Sequence, residues 1–227
     1  MTHLKRSLAA AAVLALVAGS AWAQARTDLT VALQLEPPNL DPTGGAAGAI
    51  DDVTYSNIFE GLTRFTSDGS VVPGLAESWD ISDDGLTYTF KLRDGVTFHD
   101  GSAMDSADVK FSLDRARAED STNAQKALFA SITEVNAVDP LTVVVKLEKA
   151  NGNFPFNMAW GDAVIVAEES IADIATNPVG TGAFKFSNWV QGDKIELVKN
   201  PDYWGEPAKL DKATFKFISD PTAAFAA

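Results

Sequence analysis

Asp83-Asp84-Gly85-Leu86-Thr87-Tyr88-Thr89-Phe90-Lys91-Leu92-Arg93-Asp94-Gly95 is the stretch whose pattern is clearest. Leu86, Tyr88, Phe90 and Leu92 alternate with Thr87, Thr89, Lys91 and Arg93, the period-two pattern of an antiparallel strand with one wet face. Asp-Gly pairs stand at both ends, where glycine supplies the positive φ of a tight turn. Ser67-Asp68-Gly69 and Asp100-Gly101 repeat that punctuation, so this region reads as short strands joined by tight turns.

The reading extends in both directions. Toward the C-terminus, Asp105 to Arg117 places Val109, Leu113 and Ala116 at helical spacing, with Asp105 or Ser106 as cap. Leu141 to Leu147 reads as a strand and Glu168 to Thr176 as a short helix. Phe184–Val190 and Lys194–Lys199 read as a hairpin around Gln191-Gly192-Asp193, and Thr214 to Ile218 as a last strand. Toward the N-terminus, Leu29, Val31, Leu33 and Leu35 share one face of a strand over Asp28–Leu35. Pro37, Pro38 and Pro42 end it in an extended loop. Gly44 to Gly48 is small and flexible, and a helix is expected over Ile50–Glu60. The mixture predicts an α/β class of mixed α+β character, with no internal repeat, low-complexity tract or linker. Asp220-Pro221 has the form of a helix cap, yet the sequence runs only about two turns further. So short a helix needs packing to persist, and the expectation is a truncated chain.

Export is predicted by the opening residues. Lys5 and Arg6 precede an uncharged Ala/Leu/Val run over Ser7–Ala18, and Ala21-Trp22-Ala23 supplies a small-x-small cleavage site. The apolar run is too short for the roughly 20 residues of a membrane span. Residues 1–23 are therefore expected to be a signal peptide, leaving 204 mature residues. The sequence contains no cysteine, which excludes a lipobox, disulfides and thiolate metal sites. A periplasmic location without a lipid tether follows as the expectation. Net charge is −13, and it becomes −15 without Lys5 and Arg6. Such acidity argues against binding nucleic acid or anionic membranes, both of which require basic patches.

Little in the sequence suggests catalysis. The two histidines are His3 and His99, so neither a histidine-rich metal site nor a convincing triad can be built. Asp51-Asp52 stand at an expected helix start, where acids favour the macrodipole, and Asp83-Asp84 precede a turn. Gly180-Thr181-Gly182 lacks the third glycine of a dinucleotide loop and runs into a strand. There is no Walker A sequence. No catalytic residue, metal site or cofactor is therefore expected. Trp79, Trp189 and Trp204 read as core or anchoring residues. Trp160, in Met158-Ala159-Trp160-Gly161-Asp162, lies between elements and can reach a cleft.

Three blocks resemble one family. The first runs from Val72-Pro73-Gly74-Leu75-Ala76-Glu77-Ser78-Trp79-Asp80 to Phe98-His99-Asp100-Gly101, with Asp105 to Phe111 after it. The second is Asn177-Pro178-Val179-Gly180-Thr181-Gly182-Ala183-Phe184 with Asn200-Pro201-Asp202-Tyr203-Trp204-Gly205, and the third is Phe217-Ile218-Ser219-Asp220-Pro221-Thr222. In this order they resemble the family 5 extracellular solute-binding proteins, the dipeptide, oligopeptide and nickel receptors of ABC importers.

That resemblance implies a two-lobe periplasmic binding protein fold closing over a solute. Residues 24–219 would form mainly the first lobe, and 220–227 the start of a truncated crossover helix into the second. It implies a monomeric receptor that captures peptides and delivers them to inner-membrane ABC permease subunits, with the ATPase engaged indirectly. A nickel or metal-chelate receptor, a sensory or chaperone-like relative, and a secreted hydrolase are the rival readings. Two segments resemble cleft-facing parts of the first lobe and give the expected ligand-binding residues. Leu40, Asp41, Thr43 and Gly44 come from the first, the Leu40–Asp52 loop after the first strand, and Trp160, Gly161 and Asp162 from the second, around Trp160–Asp162. The Val72–Gly101 block itself is expected to be structural.

Overall fold

A computed structural model describes residues 26–220, 222 and 224; the expected signal peptide lies outside the described residues. β1 (Asp28–Leu33) leads through the proline loop to α1 (Gly48–Thr54). β2 (Thr63–Phe65) and β3 (Val71–Pro73) form a small ribbon, followed by β4 (Ala76–Ile81) and β5 (Thr87–Leu92). After α2 (Ser106–Arg117) come β6 (Ile132–Asp139), β7 (Thr142–Leu147) and the one-turn α3 (Phe154–Asn157). β8 (Phe184–Val190), β9 (Lys194–Lys199) and β10 (Lys212–Phe217) follow.

Two four-stranded sheets organise the molecule. One has the order β4-β5-β7-β6 and is antiparallel throughout. The other has the order β1-β10-β9-β8, with β1 parallel to β10 and the remaining pairs antiparallel. The alternation in β5 is realised as expected. Tyr88, Phe90 and Leu92 are buried, and Lys91 is exposed. Gly85 and Gly95, at φ of 70° and 75°, make the turns that flank it.

α2 begins where Asp105 caps it. The Asp105 carboxylate accepts from the Ala107 amide at 2.6 Å, and the Asp108 carboxylate accepts from the Asp105 amide at 2.9 Å. Val109 and Leu113 then join Tyr88, Phe90, Val143, Val145 and Phe154 in one core. A second core, holding Leu40, Val53, Ile58, Phe59, Ile195, Leu197 and Phe215, packs on the mixed sheet.

Several elements differ from the sequence reading; β1 ends at Leu33 rather than Leu35, and α3 was not expected. The helix expected over Ile50–Glu60 covers only Gly48–Thr54. The Thr54 hydroxyl hydrogen-bonds back to Ile50 O, Ser56 adopts φ of 57°, and the Ser56 amide closes a turn on Phe59 O. Ile58 and Phe59 are buried all the same. The segment expected as a helix over Glu168–Thr176 is a 3₁₀ turn at Glu168–Asp173. β6 has no counterpart in the sequence reading. Register shifts between Ile132 and Glu134, and between Ala137 and Asp139, break the alternation that would have announced it.

Candidate functional site

The loop after β1 is held by an ion pair rather than left slack. The Asp41 Oδ1 atom accepts from the Thr43 amide at 2.9 Å and from the Thr43 hydroxyl at 2.6 Å. Arg115, in the last turn of α2, donates to Asp41 Oδ2 at 2.8 Å and also contacts the Thr43 hydroxyl. Leu40 is fully buried in the second core, and its amide donates to Ala175 O at 2.9 Å. A Cβ at Gly44 would lie 2.6 Å from Asp41 Oδ2. Leu40, Asp41, Thr43 and Gly44 therefore fix the path of the loop.

Beyond that anchor the loop opens onto a recess of about 250 Å³. Pro42, Gly45–Gly48 and the first turn of α1 make one wall, and Trp160 and Asp162 make the other. Ala124 and Gln125 border it as well, and Asn123 Nδ2 donates to Asp162 O at 2.9 Å. The fold thus joins the two segments expected to face a cleft. It does so through Trp160 and Asp162 on one side and the Pro42–Gly48 backbone on the other. Gly161 packs against α1, where a Cβ would sit 2.7 Å from Asp51 Oδ1.

Asp51, inside the expected Leu40–Asp52 segment though read individually as a helix-start acid, belongs to the same wall. Burial, then the charge of Asp162, then that of Asp52, push its carboxyl up to about 6. Burial also raises Asp162, which is 8% exposed. Among the described residues neither side chain is in an ion pair.

An aromatic ledge adjoins the recess. Trp160 and Phe156 are 40% and 41% exposed and stand edge to face, with ring centroids 6.2 Å apart. Phe65, from β2, completes the group at 4.9 Å from Phe156 and 6.4 Å from Trp160. Its far side borders a second recess of about 240 Å³, lined by Tyr55, Ser56, Arg64, Phe65 and Tyr203 among others. No periodic pattern marked Phe65 and Phe156. Their exposure follows from the packing of α3 beside the β2–β3 ribbon.

The other conspicuous residues hold the scaffold. Glu60 accepts from the Thr181 hydroxyl at 2.8 Å, the Tyr203 hydroxyl at 2.7 Å and Trp204 Nε1 at 2.8 Å. Arg93 lies 4.7 Å from the Trp204 ring centroid. Trp189 donates to Glu36 Oε1 at 2.9 Å. His99 bridges the first block to the second. Its Nδ1 accepts from the Gly180 amide at 3.3 Å, and its Nε2 lies 2.9 Å from Gly182 O. That pairing requires the neutral ring with the proton on Nε2. Among the described residues no group of three or more His, Cys, Asp or Glu is placed to hold a metal ion. No described helix is long and apolar enough to cross a membrane.

The description "Bacterial extracellular solute-binding proteins, family 5 Middle" matches residues 70–227. The glutathione-binding protein GsiB of Pectobacterium atrosepticum is 38% identical over 227 aligned residues, covering 97% of this chain and 43% of that protein. The structure of NikZ from Campylobacter jejuni in complex with Ni(L-His) superposes with a TM-score of 0.81 at 30% identity, covering 88% of this chain and 41% of the other. The oligopeptide-binding protein AppA of Bacillus subtilis, in complex with a nonapeptide, gives 0.81 at 29% identity with coverages of 88% and 41%. The chain thus spans about two-fifths of the length of these relatives. Their family comprises solute-binding proteins rather than enzymes. The family match over residues 70–227, together with 38% identity to GsiB over nearly the whole chain, establishes that this chain belongs to the family 5 bacterial extracellular solute-binding proteins.

Proposed function

We propose that the whole protein is the periplasmic receptor of an ABC importer, capturing peptides and delivering them to permease subunits in the inner membrane. Residues 1–23 act as a cleavable signal peptide, and 24–219 form the first lobe. Residues 220–227 begin the crossover to a second lobe that closes over the solute. Contacts from both lobes favour the closed form, so the permease distinguishes loaded from empty receptor. The receptor acts as a monomer, and the ATPase is engaged only through the permease.

The observation that carries this reading is the recess flanked by an exposed aromatic ledge, formed where the Pro42–Gly48 loop meets Trp160 and Asp162. Trp160, Gly161 and Asp162 contact the solute, and Leu40, Asp41, Thr43 and Gly44 shape the facing wall. The names of two relatives, which give glutathione and a nonapeptide as ligands, support a peptide. The complex of NikZ with Ni(L-His) favours a second reading, a nickel-chelate receptor.

Native mass spectrometry of the protein purified from its own host's periplasm tests both. A peptide receptor releases small peptides on denaturation, whereas a nickel receptor releases nickel with a chelator. A protein that carries neither, and takes up neither when supplied, contradicts the proposal. Binding by residues 24–227 alone is expected to be weak, since the opposing contacts and the closing motion are lacking.

A further inference from the structure

We propose that His99 is an acid-sensitive latch joining the two sheets, opened when its ring takes up a second proton. The residue stands in the Phe98–Gly101 turn, whose neighbours Val96, Phe98 and Met104 are rooted in the core of the antiparallel sheet. Opposite it runs Gly180–Ala183, the strip that enters β8 of the mixed sheet. Hydrogen bonds cross this seam from both the backbone and the ring of His99. Its amide donates to Gly180 O at 2.8 Å, and the Gly180 amide donates to His99 Nδ1 at 3.3 Å. His99 Nε2 donates to Gly182 O at 2.9 Å, and Lys185 Nζ donates to His99 O at 3.1 Å.

Only the neutral ring with its proton on Nε2 satisfies this arrangement. A proton on Nδ1 sets one N–H against the Gly180 N–H and a positive charge near Lys185. Lys185, on β8, opposes protonation, and Asp100, on the same turn, favours it. Asp202, from the loop after β9, lies 3.8 Å from Lys185, and Glu60 reaches the strip through the Thr181 hydroxyl. Burial is the largest influence. With Lys185 it outweighs the Gly182 hydrogen bond and Asp100, so the ring protonates only at about 4. Charge forced onto the ring there is relieved when the strip lifts and water reaches Nδ1. The strip also supports the turn after α1. The Gly182 and Phe184 amides donate to Ile58 O and Asn57 O at 2.9 and 3.0 Å, and a Cβ at Gly180 would meet Ile58 O. Opening the latch therefore loosens the turn that follows α1, the helix forming one wall of the recess.

Amide hydrogen exchange of the ¹⁵N-labelled protein, expressed as protection relative to the unfolded chain, tests the latch from about pH 7 to about pH 3.5. Protection of the Gly180, Gly182 and Phe184 amides should fall roughly tenfold further than that of the amides in β5 and β7. His99→Gln keeps an acceptor oxygen and a donor nitrogen but takes up no proton, so its strip should stay as protected as its sheet. A fall in the strip no larger than in β5 and β7 overturns the latch, as does an equal local fall in folded His99→Gln. Should that variant fail to fold, the ring of the unsubstituted protein decides. Its Nδ1 ¹⁵N signal should change from that of an acceptor to that of a protonated nitrogen at the midpoint where Gly180 loses protection, and separate midpoints overturn the latch.

Discussion

Arg115 Nη2 stands 2.8 Å from Asp41 Oδ2, and this pair ties the C-terminal turn of α2 to the loop that walls the recess. The Asp41 side chain is only 10% exposed, so removing the guanidinium would leave an enclosed carboxylate without its ion-pair partner. Arg115→Ala should cost about 2 kcal/mol, less than a fully buried pair because Arg115 keeps some solvent contact. Urea unfolding should show a lower midpoint at unchanged slope. A cost below about 0.5 kcal/mol would mean the loop is held by other contacts.

Gly161 is required for space rather than for backbone freedom. Its Cβ would fall 2.7 Å from Asp51 Oδ1, the movable end of a side chain, so Gly161→Ala should displace that carboxylate and destabilise by about 1 kcal/mol. Shortening the obstructing side chain should relieve the strain. The double variant Gly161→Ala/Asp51→Ala is predicted to be less damaged than the two single effects combined, in a double-mutant cycle. Additive effects would show that the two residues do not meet.

Asp51 has the opposite character to an anchoring acid. Its folded carboxyl titrates near 6, above the ordinary 3.8, so the folded form holds its proton more tightly than the unfolded chain. Stability from this group is present at low pH and declines as pH rises from about 4 to 6. Asp51→Asn should therefore raise stability at pH 7.5 by about 1 kcal/mol, discounted because the group keeps solvent contact. Thermal unfolding of the two proteins at pH 7.5 checks this. A destabilised Asp51→Asn at pH 7.5 would contradict it.

His99 titrates in the reverse sense. Burial is the main cause that lowers it from 6.5 to about 4, and its hydrogen bond to Gly182 O opposes the shift. The unfolded chain therefore takes up the proton first, and stability is lost as pH falls from 6.5 to 4. The full effect is on the order of 2 kcal/mol. Asp51 and Asp108, both raised to about 6, bind protons in the folded state over part of that window and mask the loss. Comparison with His99→Gln removes the mask. The stability gap between the two proteins should narrow as pH falls from 7 to 4, whereas a constant gap would mean that His99 is not held neutral.

Much of the scaffold was legible because local and global demands agree. β5 alternates between two Asp-Gly turns, and α2 opens on Asp105 with Asp108 placed to complete the capping box. β6 escaped because two register shifts disturb its pattern, and α1 was over-extended because Ile50, Val53 and Ile58 share a helical face that Ser56 interrupts. Trp160 and Asp162 were visible as residues between elements. Asp51 lay within the expected Leu40–Asp52 segment but was not singled out, because an acid in the first turn of a helix already has a local explanation. Only the approach of Gly161 to α1 makes it part of the recess. The ledge of Phe65, Phe156 and Trp160 is likewise assembled from separate elements, beyond the reach of any local pattern.

The most direct test of the account is to find where a peptide rests on the protein. A tripeptide carrying benzoyl-phenylalanine, photolysed with the protein and mapped by mass spectrometry, would mark its contact surface. Adducts confined to the Pro42–Gly48 loop, Phe156 and Trp160, and suppressed by excess unlabelled peptide, are the predicted result. Competable adducts that fall elsewhere, such as the face of the mixed sheet around Thr30 and Thr214, would contradict it.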